Sequence, residues 1–355
     1  MARRTGTALW TRSMQRTLTA MTRAAMRAGS KAVKQALRAQ PGMPKAKAKV
    51  QAKTKSKPTP VKRGSATAAH WSTGLAIGPT GARRYHLYKP PGVRRTERLP
   101  LLVMLHGCGQ DAQALAAISR MNQIALRHRF LVLYPEQDRL ANMQGCWNWY
   151  DTRSGRAQGE TSAIQAAIDQ VCQTQPVDPK RVALAGLSAG AGMAALLATR
   201  HPERFRAVAM HSGIAPGVAQ SSASALRAMQ GRRMTGLPLA PLPVGVHLPA
   251  LLVIQGGADH VVAPGNGVAA AHVWAAREGA QAGGSRTVQR GVRYSATITD
   301  FKTRGRLVAT LCAVNGLGHA WSGGAPNWPY SDPKGPDASR MIWAFVAKQF
   351  ASALE

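Results

Sequence analysis

Residues 181–200 read RVALAGLSAGAGMAALLATR, and this stretch decides the fold. Its first seven residues form a short apolar run that predicts a buried strand, and its last twelve are rich in Ala and Leu and predict a helix. Between the two lies the pattern G-x-S-x-G, formed by Gly186, Ser188 and Gly190. This pattern is typical of a strained strand-to-helix turn that exposes a serine hydroxyl. We therefore predict that Ser188 is a nucleophile.

Short apolar runs alternate with helical stretches throughout the part of the chain after residue 97. The predicted strands are Leu101–Leu105, Phe130–Tyr134, Arg181–Leu187, Ala207–Met210, Leu251–Gln255 and Leu307–Val314. The predicted helices are Ala112–His128, Glu160–Gln173, Ala189–Arg200 and Ser339–Leu354. Apolar strands that alternate with helices are typical of a mostly parallel sheet with helices on both faces. Together with the serine turn, this alternation predicts an α/β-hydrolase fold.

A serine nucleophile needs a base to take its proton and a carboxylate to orient that base. In α/β-hydrolases these partners follow the serine in the order acid, then histidine, on loops after later strands. Asp259 meets this condition, because it lies in the loop after the predicted strand Leu251–Gln255. Asp300 is the rival acid, but its segment is polar and has weaker strand character. We therefore predict Asp259 as the acid.

Three histidines follow Asp259 in the chain and are candidates for the base: His260, His272 and His319. His260 adjoins the acid itself, and His272 lies in an Ala-rich helical stretch. His319 follows the last predicted strand in the glycine-rich loop NGLGHAWSGG, whose backbone can bring an imidazole to the serine. We predict His319 as the base for Ser188.

The tetrahedral intermediate of such a reaction needs two backbone N–H donors aimed at its oxyanion. Ala189, directly after the nucleophile, is predicted to provide one. The second is expected in the loop HGCGQ after the first strand beyond residue 97, and Cys108 is the predicted donor. His106 in the same loop precedes the nucleophile in the chain, and we expect it to hydrogen-bond within the loop.

The stretch GCWNWYD is dense in aromatic residues, in a chain that is only 5% aromatic. Aromatic side chains in a loop either pack internally or form the apolar wall of a subsite for an acyl or polymer chain. The sequence leaves both interpretations open. On the second, the candidate substrate-binding residues are Trp147, Asn148, Trp149 and, two residues beyond the predicted base, Trp321.

The charge of the chain divides at Glu97, its first acidic residue. The whole sequence has 47 Lys and Arg against 15 Asp and Glu, a formal net charge of +32. Residues 1–96 contain 22 of these basic residues, which leaves 25 basic and 15 acidic residues, a net +10, for the rest. The strongly basic character typical of a nucleic-acid binder therefore belongs to the N-terminal segment and not to the predicted hydrolase.

The N-terminal segment consists of two parts that differ in composition. Residues 1–40 have Leu and Met at loosely helical spacing among Arg and Lys, which predicts a basic amphipathic helical segment. An organelle transit peptide has a similar composition, and that alternative stays open. Residues 41–80 are rich in Lys, Ala and Pro and predict a disordered linker, and 81–355 form the predicted hydrolase domain. The favoured interpretation of the run is a flexible spacer. The alternative is that residues 1–64 bind a polyanion, because spaced lysines neutralise phosphates without a fold.

Five motifs occur in order along the predicted hydrolase domain. They are LHGCGQDA (105–112), GCWNWYD (145–151), DPKRVALAGLSAGAGMAALLATRHPERFRAVAMHSG (178–213), IQGGADHVVAP (254–264) and GLGHAWSGG (316–324). Together they resemble the polyhydroxybutyrate (PHB) depolymerase family of esterases over roughly residues 85–350. The resemblance implies an α/β-hydrolase fold and serine esterase chemistry on short-chain polyhydroxyalkanoates. It also implies Ser188, Asp259 and His319 as the triad, with the Cys108 loop in the oxyanion hole.

Family members secreted to attack solid polyester usually have a signal peptide and a substrate-binding domain after the catalytic one. This sequence ends at Glu355, soon after its last predicted helix, and lacks the apolar run of a secretory signal, so it resembles the intracellular members. We expect a cytoplasmic protein, with secretion as the alternative. The candidate partners of residues 1–64 are a PHB granule surface, DNA and anionic lipid. Two alternative functions are an acetyl xylan or feruloyl esterase, and a polyanion- or granule-binding protein with secondary hydrolase activity.

The four cysteines are too few for a scaffold built on disulfides. Cys108 and Cys146 lie in loops beside the predicted site, where a disulfide is conceivable, although two free thiols are expected in a reducing cytosol. Cys172 and Cys312 are expected as buried apolar residues. The sequence has no cluster with metal-ligand spacing, no glycine-rich phosphate loop and no long apolar run. We therefore expect no metal, no cofactor and no transmembrane helix.

Overall fold

The computed structural model describes residues 70–232 and 243–352, which form thirteen strands and seven α-helices. The strands are β1 (His70–Gly78), β2 (Gly81–Lys89), β3 (Leu99–Leu105), β4 (Leu131–Pro135), β5 (Val177–Leu187), β6 (Ala207–His211), β7 (Ala250–Gly256), β8 (Gln281–Ala282), β9 (Arg286–Val288), β10 (Ala296–Thr303), β11 (Arg306–Val314), β12 (Trp321–Ser322) and β13 (Ser331–Asp332). The helices are α1 (Ala112–Ser119), α2 (Met121–His128), α3 (Arg156–Thr174), α4 (Ala189–Arg200), α5 (Ser222–Met229), α6 (Gly265–Arg277) and α7 (Ala338–Ala351).

Within the described ranges, eleven strands form one sheet in the order β1-β2-β4-β3-β5-β6-β7-β11-β10-β8, with β9 also paired to β10. The six central strands, from β4 to β11 in this order, are mutually parallel. The outer strands at both edges are antiparallel. This is the mostly parallel sheet that the alternation of apolar strands and helices predicts.

The strand β3 shows how the sheet is covered on both faces. Leu101, Val103 and Leu105 belong to one hydrophobic cluster, which also contains apolar residues of α3, α4 and α6. Leu102 and Met104 belong to a second cluster, which contains residues of α1, α2 and α7. All five side chains are fully buried. Because neighbouring residues of a strand point to opposite faces, a wholly apolar strand requires helices on both sides.

The predicted helix Ala112–His128 is two helices. Arg120 between them has a φ of 53°, a left-handed conformation that ends α1. Its guanidinium donates a hydrogen bond to the carbonyl oxygen of Gly323 at 2.6 Å, a partner 203 residues further along the chain. The break accompanies a contact with a residue far along the chain. The local sequence pattern, which stays helical from 112 to 128, therefore does not reveal it.

The strand β1 places the start of the hydrolase domain earlier than the predicted boundary at residue 81. Residues 70–78 pair along their whole length with β2, so part of the predicted linker 41–80 belongs to the sheet. Among residues 71–78, only Ala76 is fully buried. An edge strand with so little buried surface has no apolar run, so the sequence does not indicate a strand here. The predicted segment 1–40 and the predicted linker up to residue 69 lie outside the described residues. In 70–232 and 243–352, no helix is long and apolar enough to cross a membrane.

Candidate active site

Ser188 lies in the turn between β5 and α4, at the carboxyl end of the central parallel strands. Its φ is 57°, a conformation that residues with side chains seldom adopt. The backbone N–H of Ser188 donates to the carbonyl oxygen of His211 in β6 at 2.8 Å, and its carbonyl oxygen accepts from the N–H of Gly192 at 3.1 Å. The neighbouring strand and the helix therefore hold the strained turn from both sides.

The two glycines of the G-x-S-x-G pattern have the steric role that the pattern predicts. A Cβ on Gly186 would overlap the backbone of Gly190, and a Cβ on Gly190 would overlap the carbonyl oxygens of Leu105 and His106. The turn is thus packed backbone against backbone, with α4 pressed onto the end of β3. No side chain fits at either position without moving these elements.

The structure brings the three predicted triad residues together. The Nε2 atom of His319 lies 3.0 Å from the Oγ atom of Ser188, and its Nδ1 atom lies 2.8 Å from the Oδ2 atom of Asp259. The Nδ1–H donates to the carboxylate, so Nε2 is free to accept the hydroxyl proton. The three residues follow β5, β7 and β11, which are near neighbours in the sheet. The geometry is that of a serine activated by an oriented imidazole.

The carboxylate of Asp259 is almost fully buried and fully hydrogen-bonded. Its Oδ1 atom accepts from the N–H groups of Val261 and Val262 at 2.9 and 2.8 Å, while Oδ2 faces His319. Burial alone would raise the pKa of this carboxyl, but the hydrogen bonds and the charge of His319 outweigh burial and lower its pKa. The group therefore stays ionised and can stabilise an imidazolium.

The rival acid and the rival bases lie elsewhere. Asp300 is in β10, where it accepts from Thr310 at 2.7 Å and pairs with Arg286 at 2.8 Å. His272 is in α6 and contacts the ring of Phe301. His260 is solvent-exposed. Among the described residues, the partners found for Asp300 and His272 do not include a residue of the serine turn.

The predicted oxyanion loop lies directly against the nucleophile. A Cβ on Gly107 would stand 3.5 Å from the Cβ of Ser188. Other amides of the loop have acceptors: Gly107 N–H donates to the side chain of Gln110, and Gln110 N–H donates to the Gly107 carbonyl. Gly109 N–H donates to the carbonyl of Gln144 in the loop between β4 and α3. The amide of Cys108 has no such role among the described residues, which agrees with its predicted role as an oxyanion donor.

The question left open about Cys108 and Cys146 is answered by a disulfide. The two residues are bonded across 38 positions of the chain, with their Cα atoms 4.2 Å apart. Of the two possibilities, the structure has the disulfide and not the two free thiols expected in a reducing cytosol. The bond attaches the oxyanion loop to the loop between β4 and α3. Cys172 and Cys312 are free thiols; Cys312 is buried and Cys172 is partly exposed.

The predicted wall of aromatic substrate-binding residues is largely contradicted, because these side chains are buried inside the protein. Trp147, Asn148 and Trp321 have at most 1% of their surface exposed. Trp147 donates to the His106 carbonyl at 3.0 Å, and Trp321 donates to the Ser339 hydroxyl at 3.1 Å. Both indoles serve internal packing, the first of the two interpretations. Trp149 is 7% exposed, and a substrate role for it stays a prediction.

A buried polar network supports the loop between β4 and α3. The carboxylate of Glu160 accepts from the backbone N–H and the side-chain amide of Asn148 and from the side chain of Gln137. Gln137 in turn accepts from Arg83 at 2.7 Å and donates to the Cys146 carbonyl at 3.0 Å. The predicted substrate contact Asn148 is thus part of the support for the disulfide.

Two buried histidines complete the site, and the sequence assigns no role to one of them. His106 directly follows β3, and His211 is the last residue of β6. These two strands lie on either side of β5, which leads into the Ser188 turn. Burial lowers the pKa of His106 to about 4 and that of His211 to about 3, so both imidazoles are neutral. His106 bonds within its loop, as predicted. His211 was missed, because its partners lie far away in sequence.

Within 70–232 and 243–352, no group of three or more His, Cys, Asp or Glu residues is placed to bind a metal ion.

Solved structures show the same fold. An acetyl xylan esterase from Aspergillus awamori aligns with a TM-score of 0.58 at 18% sequence identity, covering 73% of this chain and 95% of that one. A hyperthermophilic esterase from the archaeon Pyrobaculum calidifontis aligns with a TM-score of 0.50, also at 18% identity, covering 78% and 85%. At these identities the likeness shows the fold alone. It confirms the predicted α/β-hydrolase fold.

Curated relatives share part of the sequence. Poly(3-hydroxyalkanoate) depolymerase C of Paucimonas lemoignei is 34% identical over 175 residues, which are 47% of this chain and 42% of that protein. Feruloyl esterase B of Neurospora crassa is 31% identical over 155 residues, 43% of this chain and 51% of that protein. The chain spans about half the length of these relatives.

A family model matches a longer part of the chain. The match to the model described as Esterase PHB depolymerase covers residues 83–289, more than half of the sequence. It includes the nucleophile turn, the oxyanion loop, the disulfide and Asp259. The resemblance found in the motifs is therefore confirmed, and the chain belongs to the esterase PHB depolymerase family.

Proposed function

We propose that this protein is a serine esterase that hydrolyses poly(3-hydroxybutyrate) or related short-chain polyhydroxyalkanoates, as polymer or as oligomers. The observation that carries the proposal is the continuous hydrogen-bonded line from Ser188 through His319 to Asp259, with distances of 3.0 and 2.8 Å. This line ends at Ser188, which Gly107 of the oxyanion loop adjoins, and the next amide in that loop, that of Cys108, has no acceptor among the described residues.

In the first half of the reaction, the Oγ atom of Ser188 attacks the ester carbonyl while Nε2 of His319 takes its proton. The amides of Cys108 and Ala189 stabilise the resulting oxyanion. The ester bond then breaks, and the leaving alcohol takes the proton from His319. An acyl group remains bonded to Ser188.

In the second half, a water molecule attacks the acyl group and gives a proton to His319. The acid leaves, and the proton returns to the Oγ atom of Ser188. Asp259 stays ionised throughout, because its hydrogen bonds keep its pKa low. The products are a hydroxyacid and a shortened ester or alcohol, and no further reactant is needed.

The substrate class is supported by the family match and by the relative from P. lemoignei, whose name specifies a poly(3-hydroxyalkanoate). The alternative is a carbohydrate ester, since other relatives are named feruloyl esterase and acetylxylan esterase. A comparison of product release distinguishes the two substrate classes. One set of assays measures 3-hydroxybutyrate from amorphous polymer and from soluble oligomers. The other measures acetate from acetylated xylan and ferulate from feruloyl esters. Faster release from the xylan or feruloyl substrates would favour the alternative.

The test of the chemistry is Ser188→Ala. We expect the loss of hydrolysis of 4-nitrophenyl butyrate by on the order of 10⁶-fold in kcat, the cost of removing the nucleophile in a serine hydrolase. Thermal unfolding should show that the variant stays folded. Retained turnover in a folded Ser188→Ala variant would contradict the proposal.

Residues 1–64 are proposed to bind a polyanionic partner, with a granule surface, DNA and anionic lipid as the candidates. The support is their basic composition, and the role is compatible with the esterase function. A salt-sensitive affinity of the full chain for DNA, for anionic vesicles or for polymer granules should be lost on deletion of residues 1–64. Unchanged binding after the deletion would reject this segment as the site.

A cytoplasmic location remains a proposal, and the disulfide between Cys108 and Cys146 counts against it. Structural disulfides persist in oxidising compartments and are rare in the cytosol. Fractionation of cells that express the full chain distinguishes the cytoplasm from a secreted location.

A further inference from the structure

We propose that His211 is a positioning residue of the active site, which fixes the loop of His319 relative to the turn of Ser188. The inference rests on the proposed esterase function and adds a residue to its machinery. His211 touches neither the reacting atoms nor a substrate, and it acts through the backbone on both sides.

The first connection runs from His211 to the nucleophile. The carbonyl oxygen of His211 accepts the N–H of Ser188 at 2.8 Å. The next residue, Ser212, has a φ of 53° and donates its N–H to Ile254 of β7 at 2.9 Å. A Cβ on Gly213 would overlap the side chain of Ala191 in α4. The segment 211–213 therefore forms a rigid backing for the strained serine turn.

The second connection runs from the His211 side chain to the loop of the base. Its Nε2 atom accepts the backbone N–H of Ser322 at 3.0 Å, three residues after His319. Its ring stacks on the indole of Trp321, with centroids 5.2 Å apart and an angle of 22° between planes. The chain from His319 to Ser322 is too short to absorb a displacement of Ser322 without moving the imidazole.

The charge state of His211 suits this role. Because Nε2 is an acceptor, the proton lies on Nδ1, which donates to the hydroxyl of Ser212 at 3.1 Å. Burial, reinforced by the nearby His319, lowers the pKa of His211 to about 3. The ring is thus neutral at every pH at which the enzyme is expected to work, and it does not compete with His319 as a base.

Two amide substitutions separate the positioning role from simple packing. In His211→Gln the side-chain oxygen can occupy the place of Nε2 and accept from Ser322, whereas in His211→Asn the shorter side chain places its oxygen near Nδ1. Both remove the imidazole and leave an amide of similar polarity. Ile168→Ala, a buried change in α3, serves as a control for loss of stability alone.

We expect His211→Asn to lower kcat for 4-nitrophenyl butyrate on the order of 100-fold with little change in KM, since a misplacement of about 1 Å has that cost. His211→Gln should retain most of the wild-type kcat. The rate of Ser188 labelling by a fluorophosphonate, in which the Oγ–P bond forms and fluoride leaves, should fall in the same proportion. Ile168→Ala should lower the melting temperature and leave kcat unchanged.

Equal kcat values for folded His211→Asn and His211→Gln would overturn the proposal. If His211→Asn does not fold, the kcat of His211→Gln decides the question. This variant keeps an acceptor for the Ser322 N–H, so a 100-fold loss of kcat in it would also overturn the proposal. A wild-type protein that neither hydrolyses the ester nor reacts with the fluorophosphonate would instead contradict the proposed function. The two failures are therefore distinct.

Discussion

His106 and His211 occupy corresponding places on the two sides of the nucleophile turn, and each connects a strand end to a distant loop. The Nε2 atom of His106 accepts the N–H of Gln137 at 3.0 Å, as that of His211 accepts the N–H of Ser322. Each ring also contacts an indole, Trp147 for His106 and Trp321 for His211. One connection supports the oxyanion loop, and the other supports the loop of the base.

The two sides differ in what else holds them. The oxyanion side has the disulfide of Cys108 and a buried network that includes Arg83 and Glu160. The acid–base side has neutral hydrogen bonds and the Asp259–His319 pair. In the proposed mechanism the oxyanion donors act without moving, whereas the imidazole passes a proton between two oxygens. The comparison indicates that the side of the site that holds the oxyanion donors is cross-linked, whereas the side that passes the proton is held by hydrogen bonds.

The largest expected effect comes from breaking the acid–base side. Asp259→Asn should lower kcat by on the order of 10⁴-fold, because an amide no longer orients the imidazole or stabilises its cation. Steady-state hydrolysis of 4-nitrophenyl butyrate measures the loss. Asp300→Asn is the matched control, since Asp300 bonds to Thr310 and Arg286 and not to His319. A similar loss in the control would assign the acid to Asp300 instead.

Breaking the oxyanion side should have a smaller effect on the rate. In the double variant Cys108→Ser with Cys146→Ser, we expect kcat to fall by at most about 100-fold, the cost of one misplaced oxyanion donor. The free energy of unfolding should fall by about 4 kcal/mol for a loop of this length. Denaturant unfolding and hydrolysis measure the two changes.

The matched control for the disulfide is Cys172→Ser, which removes a free thiol. It should change neither the rate nor the response to a dithiol reductant. Thiol titration of the unfolded, non-reduced wild type should find two thiols, and four after reduction. Four thiols before reduction would show that the oxyanion side is not cross-linked.

The last expected effect concerns stability alone, which depends on pH through both histidines. In the unfolded chain each imidazole binds a proton below about pH 6.5, whereas in the folded protein His106 and His211 stay neutral down to about pH 4 and 3. The unfolded state therefore binds more protons, and stability falls as the pH falls from about 6.5 towards 4. Two groups give about 3 kcal/mol per pH unit.

Denaturant unfolding between pH 4.5 and 7.5 measures this slope, and His211→Gln should reduce it by the share of one imidazole, about 1 kcal/mol per pH unit. His106 faces Asp111, Arg83 and Arg139, and His211 faces His319 and Asp259. An unchanged slope in His211→Gln would mean that His211 is already charged in the folded protein.

The sequence predicts the residues whose role depends on local context. Ser188 lies in a motif with a strand before it and a helix after it, and Asp259 and His319 follow apolar strands in the expected order. These signals lie within a few residues of each group, so a single sequence is sufficient to read them. The central parallel strands are found for the same reason, because burial on both faces requires a continuous apolar run.

Features that depend on distant contacts could not be predicted in this way. The disulfide requires the separation of two Cα atoms in different loops, which a sequence does not contain. Trp147 and Trp321 are buried by segments far along the chain, so their aromatic character suggested a substrate wall equally well. The edge strand β1 is mostly exposed and has no apolar run. The role of His211 depends on Ser322, 111 residues away.

Gly186 and Gly190 have a consequence for how this family diversifies. Because these positions fix the serine turn through backbone contacts with each other and with the end of β3, the place of the nucleophile relative to β3 does not depend on a side chain at either position. Substitutions elsewhere around the active site can therefore change which ester fits without disturbing the nucleophile turn. Relatives named for polyhydroxyalkanoate, feruloyl and acetylxylan substrates are the outcome expected when reactivity and selectivity evolve as separate traits.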